Sequence, residues 1–262
     1  MITMRTLGIL CLALGAMLPP CLAAQETAEP SLGLEEILQR LHQSAQDLTS
    51  YECRIEYILL QPRLFDSRTL RTGRVYYKRI PPKSCLRIDF ETLKQDDDPM
   101  QPYAEHFIFD GEWLTRIDDQ TKSIQRHQVA EPNQPVDAFK LAGGNMPIIG
   151  FSADQDLKKE FEVTLVPPEK GDQDLVKLSL KVRPESKFKD TYVSMDFWIS
   201  FHYWLPVRVE ALTHEEEIHE LVFLDARINQ DVDDHLFEFE RPEGFKDPEI
   251  HPLKPEERPS GR

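Results

Sequence analysis

The sequence predicts a mainly antiparallel β-sheet of roughly ten strands packed against a single long amphipathic helix. Three observations point there. Apolar and polar residues alternate with a period of two along most of the chain, and only one early segment spaces its apolar residues by three and four. Strand patterns follow one another through short polar breaks, without the strand–helix–strand alternation of a parallel sheet.

The chain opens on an export leader. Arg5 tips a short apolar run, TLGILCLALGAMLPPCLAA, which Pro19 and Pro20 interrupt before the small residues Ala23 and Ala24. Such a segment reads as a signal peptide over residues 1–24, cut after Ala23 or Ala24, and it is too short and broken for a membrane span. Acylation of Cys21 would call for a small residue before it, where Pro19 and Pro20 stand. An exported product with neither lipid anchor nor permanent span is therefore expected.

About 238 residues then remain, enough for one domain with a large core. Losing Arg5, the leader's one charged side chain, moves the net charge from -15 to -16. That charge disfavours nucleic acid, whose phosphates need a positive footprint, and disfavours adsorption to anionic headgroups. Cys53 and Cys85 are the cysteines left. An oxidising exterior permits a disulfide between them, but strand alternation sets Cys53 with Ile55 and Tyr57 and Cys85 with Arg87 and Asp89, so the pairing stays open.

Residues 25–33 form a polar lead-in. In GLEEILQRLHQSAQDLTSY, the residues Leu34, Ile37, Leu38, Leu41, Ala45 and Leu48 make one apolar stripe on a helix of about four turns, with acids at its start. Strands follow over Glu52–Leu60, Thr72–Arg79 and, past Pro81-Pro82, Leu86–Phe90. The charge and prolines of Lys94–Tyr103 predict a loop. AEHFIFDGEWLTRID is a hairpin turning at Asp110-Gly111, and Ser123–Val129 is a further, weakly patterned strand.

Prolines 132, 135 and 147 break the pattern around a short helix near Val136–Ala142, with Met146, Ile148, Ile149 and Phe151 as an apolar patch. Another short helix is expected over Ser152–Lys159. Strands resume at Phe161–Val166, Leu175–Val182, Thr191–Phe201, Leu205–Leu212, His219–Asp225 and Leu236–Phe239, with polar reversals at Lys170–Asp174 and Ser186–Lys189. The domain so defined spans 34–245, and 246–262 reads as a polar tail.

No motif in the chain carries a recognisable reaction. His214 and His219 in THEEEIHE are five apart rather than the four of H-E-x-x-H, which aligns them poorly on a helix and on opposite faces of a strand. DARINQDVDD has Gln230 where a calcium loop needs Gly and Leu236 where it needs Glu. The serines lack a nucleophile elbow, and Gly143-Gly144 lacks a phosphate-loop continuation. Catalytic residues, metal ligands and cofactors are accordingly none. The aromatic cluster Tyr192, Phe197, Trp198, Phe201, Tyr203 and Trp204 stands out instead. One helix stripe covers only part of a large sheet, which leaves room for an apolar cavity.

The landmarks LQRLHQSAQDLTSYECRIEY, GRVYYKRIPPKSCLRIDF, FIFDGEWL, YWLPVRVEA and LFEFERPEGF, in that order across residues 34–245, resemble the periplasmic lipoprotein carriers of the LolA superfamily. The resemblance implies an incomplete antiparallel β-barrel covered by an N-terminal helix and short mid-chain helices. It also implies a monomeric, non-enzymatic carrier that binds lipoprotein acyl chains or another lipid reversibly. Such a carrier receives its cargo at an inner-membrane exporter and surrenders it at an outer-membrane receptor.

The apolar residues placed to face such a cavity are Leu38, Leu41, Ile55, Tyr57, Leu59, Val75, Tyr77, Ile88, Phe90 and Phe197. The family's G-x-L-x-x-K-R-P strand meets GRVYYKRIP here, so its lid arginine falls on Arg79. Ile80 intrudes before Pro81, a departure from that motif. The same fold also serves envelope-stress sensors, so a structural or sensing module is the alternative expectation, and a lipid or sugar hydrolase the second.

Overall fold

A computed structural model describes residues 32–253 except 133, 135, 144, 145, 153–155 and 168–173. The leader, most of the lead-in, most of the Lys170–Asp174 reversal and the last nine residues lie outside the described residues.

Helix α1 (Leu34–Asp47) forms where the three-and-four spacing predicts it. Ile37, Leu41 and Ala45 are its buried stripe, and Glu35 and Glu36 face the positive end of the helix dipole. The strands β1 (Ser50–Gln61), β2 (Ser67–Ile80), β3 (Lys83–Gln95), β4 (Gln101–Phe109), β5 (Trp113–Asp118) and β6 (Ser123–Gln128) follow as a meander. Two short helices, α2 (Ala138–Ala142) and α3 (Leu157–Glu160), interrupt before β7 (Phe161–Val166), β8 (Leu175–Val182), β9 (Tyr192–Ser200), β10 (Pro206–Thr213), β11 (Ile218–Ile228) and β12 (Glu249–His251). The twelve strands make one open sheet in the order β12-β6-β5-β4-β3-β2-β1-β11-β10-β9-β8-β7. Every pairing is antiparallel except β12 with β6.

Register fixes what shares a face. Tyr51, Tyr77, Leu86 and Phe109 lie side by side across β1 to β4, as do Cys53, Val75, Ile88 and Phe107. The same front face continues through Tyr57, Leu221, Val209, Phe197 and Leu178. Alternation therefore delivers the core the sequence calls for, because a one-residue slip would turn every one of these side chains to the other side. The back face of β2 to β6 is covered by the chain after β11. Val232 and Phe237 bury Cys85, and Phe245 with Phe239 packs on Ile108, Ile117 and Ile124.

Three expectations are corrected. Strands β3 and β4 run into the predicted Lys94–Tyr103 loop and leave a turn of only residues 96–100. That end of the sheet is held by polar pairs, Thr72 to Thr92 at 2.6 Å, Thr69 to Gln95 at 2.8 Å and Gln95 to Ser67 at 2.6 Å, so it has no apolar alternation to read. Leu236–Phe239 is not a strand: Asp233 accepts from the His235 N–H and starts a 3-10 turn over Asp234–Phe237 that drops Phe237 into the back core. Residues 249–251, read as polar tail, instead pair with β6.

Candidate functional site

The covering layer of the front face begins at the β2–β3 hairpin. Ser84 Oγ accepts from the Ala138 N–H at 2.9 Å, and Asp137 caps α2 by accepting from the Lys140 N–H at 3.0 Å. The short helix thus carries Phe139 onto Tyr77, with rings stacked 4.4 Å apart. Phe151, positioned by Gly150 at φ +92°, stacks on Phe139 at 4.9 Å and meets Tyr51 and Phe223 edge-on. A β-carbon on Gly150 would lie 3.2 Å from the Phe197 ring. These aromatic rings fill the middle of the front face.

Beyond them, over β3 to β6, the face is not filled. A cavity of about 550 Å³ lies between Leu86, Ile88, Phe90, Phe107, Phe109 and Leu114 of the sheet and Ala138, Leu141, Ala142 and Met146 of the cover. That volume falls within the range of small-molecule sites, roughly 300–1,000 Å³.

One part of the cavity wall is charged. Glu105, 1% exposed, accepts from Arg71 Nη1 at 2.9 Å and from Arg116 Nε at 2.7 Å, and Arg116 Nη2 lies 2.6 Å from the same oxygen. Tyr103 Oη donates to Glu105 at 3.4 Å. Both guanidiniums line the cavity, and Arg71 also stands over the Phe90 ring at 5.6 Å. The sequence reading did not single out this triad. Its signal was there: Arg71, Glu105 and Arg116 sit at inward positions of their strands, in step with Val75, Phe107 and Leu114.

Of the residues expected at a cavity, Tyr57, Ile88 and Phe90 line this one. Leu38 and Leu41 line a separate groove of about 500 Å³ between α1 and the segment leading into α3. Ile55, Val75, Tyr77 and Phe197 are at most 1% exposed and belong to the filled core, while Leu59 is half-buried and lines neither. Arg79 lines a smaller depression with Pro81, Pro82 and Asp137, and its guanidinium donates to the Gln46 carbonyl at 2.6 Å and the Ala45 carbonyl at 3.2 Å.

At the cavity edge Tyr57 Oη lies 2.7 Å from His219 Nδ1, and His219 Nε2 lies 3.7 Å from Glu217. Burial pushes the Tyr57 phenol up and the His219 imidazole down. Both shifts favour the neutral forms, so the pair is a hydrogen bond between uncharged rings rather than an activated nucleophile. Among the described residues no three His, Cys, Asp or Glu side chains are placed to hold a metal ion together. No helix among them is long and apolar enough to cross a membrane.

No family model matches this sequence, and no curated protein matches it. Solved structures with a similar outline include an uncharacterized conserved protein from Thermus thermophilus, at 12% identity over 84% of this chain and 98% of that one, with a TM-score of 0.48. A putative outer membrane lipoprotein-sorting protein domain from Vibrio parahaemolyticus is similar at 12% identity over 77% and 94%, with a TM-score of 0.36. A LolA superfamily protein from Nitrosomonas europaea is similar at 13% identity over 80% and 99%, with a TM-score of 0.35. The open antiparallel sheet, N-terminal helix and short mid-chain helices themselves stand on this chain's own hydrogen-bond ladder.

Proposed function

We propose that this protein binds an acyl chain of a lipid or lipoprotein reversibly in the cavity over β3 to β6, after export to the periplasm, and performs no covalent chemistry. The observation behind this reading is the apolar cavity itself, roofed by α2 and Met146. Each methylene moved from water into such walls contributes about 0.8 kcal/mol, so a modest chain is held without a bond. Release then requires the roof to shift. Residues 1–24 serve as the leader, and transfer from an inner-membrane exporter to an outer-membrane receptor is the corresponding route for lipoprotein cargo.

The roof is tied to the β2–β3 hairpin by Ser84 to Ala138, and Arg79 of the same hairpin holds the end of α1. In this reading Arg79 holds the empty protein closed. Purification from native envelopes, with mass spectrometry of bound molecules, is the direct test. A stoichiometric lipid or lipoprotein supports the proposal; no bound lipid, and no uptake of a fluorescent acyl probe by the purified protein, overturns it. The filled half of the front face, with Ile55, Val75, Tyr77 and Phe197 at most 1% exposed, favours the second reading, a structural or sensing module. The negative result would side with that.

A further inference from the structure

We infer that the Arg71–Glu105–Arg116 triad is a headgroup site, so that the bound molecule is an anionic amphiphile whose carboxylate or phosphate meets the two guanidiniums while its chain fills the apolar cavity. The inference rests on the acyl-chain reading and adds the chemistry of the head.

Three observations combine. First, two arginines from β2 and β5 converge on one buried carboxylate from β4. Asp118 Oδ2, 4.0 Å from Arg116 Nη2, adds a second and more distant carboxylate from outside the cavity lining. Second, the pairing leaves donors over. Arg71 reaches Glu105 through Nη1, and Arg116 through Nε and Nη2, so Nε and Nη2 of Arg71 and Nη1 of Arg116 have no acceptor among the described residues. Third, both side chains are partly accessible, 29% and 44%, and line the same cavity as the apolar residues, whereas Glu105 is sealed behind them.

A neutral head placed here would leave guanidinium donors dehydrated and poorly matched, and a cationic head would be repelled. An oxyanion takes the free donors in the planar geometry they offer, through charge-assisted hydrogen bonds. The placement also runs against the chain as a whole, whose net charge of -15 repels anions at long range. Selectivity must then be made locally, inside the cavity. Glu105 has a definite part in this: it fixes both forks in position before the ligand arrives, so that little side-chain order is lost on binding.

The test is a set of equilibrium titrations of delipidated full-length protein with dodecanoate, dodecyl phosphate, dodecanol and inorganic phosphate, each below its aggregation concentration. The two anionic amphiphiles should bind about tenfold or more tightly than dodecanol. Inorganic phosphate alone should bind far more weakly than dodecyl phosphate. R71Q and R116Q should each lose most of the preference for an anionic head while leaving dodecanol affinity within about twofold, and R116K should lose less than R116Q. Because a lone arginine beside buried Glu105 could compromise folding, the wild-type ratios decide by themselves. Dodecanol binding as tightly as dodecanoate overturns the headgroup site and leaves the acyl reading standing. Inorganic phosphate binding as tightly as dodecyl phosphate overturns the amphiphile. Failure of all four probes to bind overturns the acyl reading with it.

Discussion

The guanidinium of Arg79, at the end of β2, donates to the carbonyl of Gln46 in the last turn of α1 at 2.6 Å and to that of Ala45 at 3.2 Å. Helix α1 has no basic residue in its last turn and ends on Asp47, an unfavourable charge at the negative end of the dipole. Its terminal carbonyls are served from elsewhere instead. Arg79 takes two, and Asn229 Nδ2 donates to the carbonyl of Asp47 at 3.1 Å while its Oδ1 accepts from the Thr49 N–H at 2.7 Å. A helix of 14 residues is marginal alone, so these tertiary caps and the buried stripe decide where it lies.

Replacing Arg79 should therefore loosen α1 more than it unfolds the sheet. Arg79→Leu keeps the stem volume but removes the donors, and is expected to speed release of a fluorescent acyl probe about tenfold, with a small change in Tm. Arg79→Lys should recover part of the wild-type behaviour, since a single ammonium cannot serve two carbonyls as the fork does. Stopped-flow release and thermal melts read both effects. Identical release rates in all three proteins would return Arg79 to a plain structural cap.

Much of this arrangement is legible in the sequence because one rule, the period of two, sets both the strands and their inward residues. Phe161–Val166 and Leu175–Val182 form strands with the boundaries their patterns predict. The same rule failed wherever the sheet is polar. The distal ends of β2 and β3 hold together through threonine and glutamine side chains and gave no apolar signal. The cavity was expected from the geometry of a large sheet, yet its position was not, because that depends on how Phe139 and Phe151 fold back to fill the centre. Charged residues on an apolar face, Arg71, Glu105 and Arg116, were the overlooked sign of its polar end.

Gly73 sits at the register shift between β2 and β3, where a β-carbon would lie 1.8 Å from the Asp89 carbonyl oxygen and 2.9 Å from the Phe90 α-carbon. Backbone cannot yield there as a flexible side chain would. Gly73→Ala should destabilise the protein by about 2–4 kcal/mol, at or above the upper end of overpacking effects. Denaturant unfolding checks this, and a loss under about 0.5 kcal/mol would show that the two strands separate freely at the shift.

Cys53 faces the front of the sheet and Cys85 the back, and both are free, buried thiols. Burial pushes Cys53 up to about 12 and Cys85 up to about 11, which leaves almost no thiolate at neutral pH. Ellman's reagent should find neither in the native chain lacking residues 1–24, and both after guanidinium unfolding. No titratable thiol in the unfolded, unreduced protein would mean a disulfide, and a different register for one of these strands.

His219 gives stability a definite pH dependence. Burial lowers its imidazole below the ordinary 6.5, so the unfolded chain binds a proton that the folded one resists. Its contribution is fully present above pH 6.5 and is lost as pH falls through the folded value. His235 is shifted upward by Glu238 and has the opposite sign, its contribution being present at low pH and lost as pH rises. The comparison that isolates His219 is wild type against His219→Gln: the fall in melting temperature below pH 6.5 should be shallower in the variant. Parallel curves for the two proteins would show that His219 is not the group responsible.

Filling the cavity is the sharpest separation of binding from folding. Ala142, at the last position of α2, lines the cavity from the roof side, whereas Lys140 on the same helix is exposed. Ala142→Trp puts a large apolar side chain where the acyl chain would lie, and the space of about 550 Å³ accepts it without overpacking the core. Affinity for a fluorescent acyl probe should fall at least about tenfold, the loss expected when two methylenes or more can no longer be buried. The melting temperature should hold or rise, since apolar surface is covered in the folded state. Lys140→Trp is the control, and should change neither. If Ala142→Trp binds the probe as wild type does, the chain is held somewhere else, with the groove beside Leu38 and Leu41 the next place to mutate.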